Sequence, residues 1–209
     1  MSTKTPPDVP SPIEFREMTD AREWAETAEQ RPGRSEILNR ITQEATRLTG
    51  RGDRILELGS GPGFLAQRLL QRLPDAHYTA LDFSRAMHEL ARARLEPWSA
   101  QVTFLERSFK SESWTEGLEP FQLVVTNQAV HELRHKRHAP KLHRQVLDVL
   151  APEGSYLLSD HFNDPGGLEN PELYMTRDEQ MTALQDAGFA SVERLAVAGT
   201  LVLHLAHKA

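Results

Sequence analysis

The sequence predicts an α/β fold, doubly wound, with a mostly parallel seven-stranded sheet and an antiparallel C-terminal hairpin. Three observations carry that prediction. Strand-like apolar runs near 53–58, 77–82, 101–106, 121–127 and 155–161 alternate with helical patterns near 62–73, 84–96 and 138–150. Such alternation implies parallel strands covered by helices on both faces. A further helix near 177–187 precedes two strand patterns, 190–197 and 200–207, folded around Gly199. Finally, the first strand breaks into a glycine turn that opens a helix directly, as ligand-binding α/β sheets require.

The elements follow in order. Met1 to Pro12 carries Pro6, Pro7, Pro10 and Pro12, which predicts an extended, mobile arm. Residues 13–32 read as a helix or loose lid with Phe15, Met18 and Trp24 as its apolar members, ended by Arg31-Pro32-Gly33. Ser35 is expected to cap a second helix, with Ile37, Leu38, Ile41, Ala45 and Leu48 at helical spacing and Gly50 at its end. From Arg51 onward the strands and helices given above make up one domain, 51–209, which leaves 13–50 as an N-terminal helical segment. Thr176 and Glu179 form a capping box for the last helix, and Gly188 ends it.

The segment Arg54 to Phe64 is the most informative. The run Arg54-Ile55-Leu56-Glu57-Leu58 breaks into Gly59-Ser60-Gly61-Pro62-Gly63, and a helical face of Leu65, Leu69 and Leu73 begins. A glycine turn opening a helix presents free N–H groups and the positive helix end to a polar or anionic ligand. Here the third glycine comes one residue earlier than in the dinucleotide fingerprint, with Phe64 in its place. Nineteen residues after Gly63, the strand His77-Tyr78-Thr79-Ala80-Leu81 ends in Asp82. A carboxylate at that point accepts hydrogen bonds from ribose hydroxyls in nucleotide-binding sheets.

From Arg51 to about His161 the chain resembles the class I S-adenosylmethionine-dependent methyltransferases, which are Rossmann-like. The motifs are Glu57 to Gly63, Leu81-Asp82-Phe83-Ser84 with Met87, Phe121 to Leu133, and Leu150 to Ser155. The tail from Thr176 to Lys208, with Ala187-Gly188-Phe189, is similar to the family's last helix and hairpin. The stretch Asn127-Gln128-Ala129-Val130-His131-Glu132-Leu133 most resembles the small-molecule branch known as methyltransferase domain 25. The resemblance implies S-adenosyl-L-methionine as cofactor and S-adenosyl-L-homocysteine as product. It implies that Gly59, Ser60, Gly61 and Gly63 hold the methionyl part, with Glu57 near its amino end. Asp82 would hold the ribose, and Phe83 and Met87 would pack on the adenine. Ser108 stands where the family usually has an acid touching the adenine amine, beside Phe109, and Gln122 stands where the family often has Asp.

Ligands in such sheets bind outside the carboxyl ends of the strands, which brings in Asn127, His131, Asp160 and His161. An amine or hydroxyl acceptor must lose a proton, a task suited to histidine. The expected catalytic residues are His131 first, then His161 and Asp160. No inserted substrate domain is visible. The acceptor pocket is therefore expected from the N-terminal segment, the 127–140 loop and the long 162–175 loop, which favours a small-molecule acceptor.

Composition narrows the alternatives. The 209 residues are 39% hydrophobic and 26% charged, with a net charge of −6. That balance suits one globular domain and disfavours non-specific nucleic-acid binding. Arg134, Lys136, Arg137, Lys141 and Arg144 read as a solvated helix face. No run approaches a membrane span and the first residues lack a secretory h-region, so a cytoplasmic location is expected. The absence of cysteine excludes disulfides, thiolate metal sites and a cysteine nucleophile. Two other readings stay open: a non-catalytic module binding S-adenosylmethionine or another nucleotide, and a zinc hydrolase built on His131-Glu132-Leu133-Arg134-His135, which spells His-Glu-x-x-His.

Overall fold

The computed structural model describes residues 7–209. Two helices, α1 (Met18–Ala28) and α2 (Arg34–Leu48), precede the sheet. Then come β1 (Arg54–Leu58), α3 (Phe64–Arg72), β2 (His77–Asp82), α4 (Arg85–Arg94), β3 (Val102–Glu106) and β4 (Phe121–Asn127). After two 3-10 turns, Val130–Leu133 and Lys136–His138, follow α5 (Ala139–Val149), β5 (Leu150–His161), α6 (Arg177–Ala187), β6 (Ser191–Ala198) and β7 (Leu201–His207).

The seven strands form one sheet in the order β3-β2-β1-β4-β5-β7-β6. β1 to β5 pair in parallel, and β7 runs antiparallel to both β5 and β6. The order reverses between β1 and β4, which opens a crevice at the carboxyl ends of these two strands. Pleating sends alternate residues to opposite faces. On one face Ile55, Leu123, Val125 and Leu157 pack with Ile37 and Ile41 of α2 and Leu65 and Leu69 of α3. On the other, Leu56, Val124, Tyr156 and Leu158 pack with Leu142 and Val146 of α5 and Leu184 of α6. α1 sits apart and packs through Ala21, with Phe15 and Trp24, on Ala86 and Met87 of α4.

The structure corrects local expectations. Gly33, not Ser35, caps α2, with φ 78°. A Cβ there would lie 2.2 Å from the Ala198 carbonyl oxygen, so the close approach of the β6–β7 hairpin requires glycine, and the helix starts two residues earlier than expected. The helical part of 13–32 is shorter than expected and begins at Met18. The arm expected to be mobile is tied down where it is described. Val9 N–H donates to Arg134 O at 2.7 Å, and Arg134 returns bonds to the carbonyls of Val9 and Pro10. Residues 1–6 of that arm lie outside the described residues. The capping box forms at Thr176 and Glu179, with Gly188 closing α6. Among the described residues no helix is long and apolar enough to cross a membrane.

Candidate active site

The crevice at the β1–β4 reversal holds a cleft open to solvent. The β1 turn makes its floor. Gly59 takes φ 69°, and a Cβ there would meet the Ala129 Cβ at 2.4 Å. Gly61 takes φ 51° and faces open space, so the backbone itself forms the ligand-facing surface. Gly63 is the N-cap of α3, whose first turn has no side-chain cap beside the cleft.

Asp82 ties the turn to the end of β2. Its Oδ2 accepts from Gly61 N–H at 2.8 Å and its Oδ1 from Ser84 N–H at 2.9 Å. Burial pushes its pKa up to about 6, against the pull of those backbone donors. Two bonds leave acceptor capacity on both oxygens, which suits a diol. Glu57 is 3% exposed and accepts from the Tyr78 hydroxyl at 2.7 Å. Burial pushes Glu57 up to about 8, while Tyr78 and Arg34 pull it down. Arg34 is 4% exposed, and burial lowers it to about 10, so it remains charged at neutral pH. Its guanidinium lies over Trp24 at 5.1 Å and donates to Gln128 Oε1.

Three buried polar atoms on the cleft wall have no protein partner: Arg34 Nε, Ser60 Oγ and Asn127 Oδ1. A cleft that leaves a donor, a hydroxyl and an acceptor unsatisfied is shaped for a polar ligand. Glu57, Gly59, Ser60, Gly61, Asp82, Phe83, Met87, Phe109 and Asn127 all line it. Ser108 does not. It borders a neighbouring surface hollow, and its hydroxyl accepts from Lys110 N–H at 3.3 Å, while Phe109 takes the cleft side. Phe15 and Trp24 also line the cleft, 6.1 Å apart edge to face.

His131, Asp160 and His161 gather at a second, smaller cavity with Tyr174 and Gln180. His131 Nδ1 lies 2.6 Å from Asp160 Oδ1 and its Nε2 lies 3.4 Å from Glu132 Oε1. Burial opposes its charge, but Asp160 and Glu132 outweigh that and raise it to about 10. Both carboxylates thus favour the charged imidazolium, a state that opposes the base role expected of His131. Asp160 would be raised by burial, yet the imidazolium keeps it below the usual carboxylate range. For His161, burial lowers the pKa to about 4, and the His131 charge adds to this while Asp160 opposes. His161 Nδ1 sits 2.8 Å from Thr200 Oγ1 and its Nε2 3.0 Å from Gln128 Nε2.

The zinc reading does not survive the geometry. His-Glu-x-x-His needs a continuous helix to aim both rings at one ion. Here Val130–Leu133 is a single 3-10 turn, and Arg134 follows at φ 67°. His135 turns away to accept from Arg137 N–H. Among the described residues no group of three metal-ligating side chains converges. Arg34, Gln128 and Glu132 are polar cleft residues that the sequence did not point to. One signal for Arg34 exists: a cation at a helix N-terminus opposes the dipole and asks for a reason.

Comparison with known proteins agrees with this geometry. A family profile described as "Methyltransferase domain" matches residues 55–154. The chain is 31% identical over 154 residues to a malonyl-[acyl-carrier protein] O-methyltransferase of Geobacter sulfurreducens, covering 67% of this chain and 57% of that one. It is 43% identical over 63 residues to the uncharacterized methyltransferase YdaC of Bacillus subtilis, covering 30% of this chain and 34% of that one. It thus spans a third to just over half of these curated relatives' length. An O-methyltransferase family protein from Burkholderia thailandensis shares the fold, with a TM-score of 0.69 at 17% identity, over 82% of this chain and 56% of that one. Residues 55–154 thus carry a methyltransferase domain, in a sheet with the reversed strand order, antiparallel closing hairpin and glycine turn of the class I S-adenosylmethionine-dependent methyltransferases.

Proposed function

We propose that the protein transfers a methyl group from S-adenosylmethionine to an oxygen or nitrogen of a small-molecule acceptor. The observation that carries this reading is the Asp82 carboxylate, bonded to Gly61 N–H and Ser84 N–H yet retaining acceptor capacity toward the cleft. The unsatisfied atoms fit the cofactor's other end. Arg34 Nε and Ser60 Oγ suit a carboxylate, while Asn127 Oδ1 and Glu57 suit an ammonium. Phe83 and Met87 offer an apolar face for adenine.

When bound, S-adenosylmethionine supplies a methyl group already activated on sulfur. The chain's contribution is position and proton handling. Phe15, Trp24 and Phe109 border the cleft with apolar rings. His131, fixed by Asp160, supplies a positive charge beside the second cavity rather than a base. The base role passes to His161, the neutral imidazole beside it. The second cavity lies between the 127–140 and 162–175 loops with no inserted domain beside it, which supports a small acceptor. The name of the Geobacter relative supports an oxygen acceptor.

A second reading has its own observation. Every ring nitrogen of His131 and His161 is already engaged, as a non-catalytic binding module would allow. Calorimetry with S-adenosylmethionine, S-adenosylhomocysteine and NAD, followed by a methyl-release assay with hydroxyl and amine acceptors, separates the cases. Binding of the first two with turnover supports the enzyme. Binding without turnover across the acceptor panel supports the module, and preference for NAD sinks the methyl-transfer reading.

A further inference from the structure

Gln128 follows β4 directly and takes φ 56°, a region that side-chain-bearing residues rarely enter. Such a conformation persists where the surroundings impose it, and it clusters at functional sites. Here its N–H donates to Ser159 O at 2.9 Å, and the residue is 8% exposed. The side chain bridges the two cavities. On the cleft side Oε1 accepts from Arg34, and on the other side Nε2 lies 3.0 Å from His161 Nε2.

Donor chemistry fixes the amide's orientation. Arginine has no acceptor, so the amide oxygen must face Arg34 and the NH2 must face His161. His161 Nε2 is then the acceptor, and its Nδ1 carries the hydrogen toward Thr200 Oγ1. The one basic lone pair of His161 is covered.

Resting on the methyltransferase reading above, we propose that Gln128 masks His161 as a base in the free protein and that cofactor binding at Arg34 unmasks it. Arg34 lines the cleft, and its buried Nε has no hydrogen-bond partner in the protein. A ligand carboxylate that reaches this guanidinium competes with an uncharged amide oxygen, and the charge-assisted bond is the stronger by about twofold. Once its oxygen is displaced, the amide turns and His161 Nε2 is free. As the acceptor's new bond to carbon forms and the sulfur–carbon bond breaks, the acceptor's hydroxyl or amine proton goes to Nε2. The products are the methylated acceptor, a neutral thioether and an imidazolium. Gln128 is thus a positioning residue that orders the reaction, cofactor first.

The groups around His161 set its baseline. Asp160 precedes it in β5, His131 lies 5.5 Å away ring to ring, Tyr174 lies 5.7 Å away, and Arg31 contributes charge from before α2. A hydrogen bond donated to the neutral ring holds the pKa down, so its release raises it.

The test titrates the histidine Cε1–H signals by NMR, with His161 assigned from the His161→Gln spectrum. Saturating S-adenosylhomocysteine should raise the His161 pKa by about one unit. Gln128→Ala should show the raised value without ligand and no further shift with it. The proposal fails if S-adenosylhomocysteine binds by calorimetry while the His161 titration stays put. It fails equally if folded Gln128→Ala titrates like the wild type. If that variant does not fold, the wild-type titration alone decides. Absence of any S-adenosylhomocysteine binding overturns the methyltransferase reading itself, and so is told apart from failure of the mask.

Discussion

Acidifying from pH 7.5 to 6 should weaken S-adenosylhomocysteine binding by about 50-fold. Glu57 and Asp82 are both raised by burial, to about 8 and about 6. Each must be ionised to accept from an ammonium or a ribose diol, so binding becomes tighter as pH rises. A group that must lose its proton weakens binding by a factor of 1 + 10^(pKa − pH). At pH 6 that factor is about 100 for Glu57 and about 2 for Asp82, and at pH 7.5 it is about 4 and about 1. The ratio is about 50, or about 2 kcal/mol. At pH 7 Glu57 is mostly protonated in the free protein, so binding should release about one proton. Isothermal calorimetry in buffers of different ionisation enthalpy measures both quantities. Glu57→Gln should abolish the proton release at pH 7. A flat affinity between pH 6 and 7.5, with no proton released, would refute the placement of these carboxylates against the ligand.

Other outcomes follow from the same contacts. Asp82→Ala should weaken S-adenosylhomocysteine binding by about 1–3 kcal/mol, read by calorimetry, through lost charge-assisted bonds and a loosened Gly61 turn. Asp160→Asn strips the buried His131 imidazolium of its nearest partner and should cost about 3–5 kcal/mol in urea unfolding at pH 7. Because His131 binds its proton more tightly folded than unfolded, the pair stabilises fully below about pH 6.5, and that contribution fades toward pH 10. His143 is the opposite case. Burial lowers it to about 3, so the unfolded chain takes up its proton first, and stability is lost as pH falls below about 6.5. Comparing unfolding at pH 7 and 5, His143→Leu should remove about 2 kcal/mol of that acid loss. Gly59→Ala should abolish cofactor binding, since its Cβ would collide with Ala129.

Most strands were legible because they are short and apolar, and the glycine turn and Asp82 because their spacing encodes a local geometry; β5 runs longer, from Leu150 to His161. What stayed hidden depends on distant packing. Arg34 is buried because Gly33 docks under the β6–β7 hairpin, more than 160 residues on. The neighbouring Glu132 supplies part of the charge environment of His131, but its nearest partner, Asp160, lies 29 residues on at the end of β5. Gln128 looks like an ordinary polar residue until its left-handed backbone and two partners are seen together. Of the two residues expected at the adenine end, Phe109 lines the cleft and Ser108 does not, because both lie past the end of β3, where no strand alternation tells which side chain turns inward.

Trp24 gives the cleft a built-in optical probe. The chain has three tryptophans, and among the described residues Trp24 alone borders the cofactor cleft. Trp114 is sealed in the core on the α5 side, and Trp98 sits in the turn after α4. Indole emission shifts with local polarity, so quenching or blue-shift on titration reports occupancy without a label. A Trp98→Phe, Trp114→Phe background would leave a single fluorophore at the place where ligand arrival and departure can be timed by stopped flow.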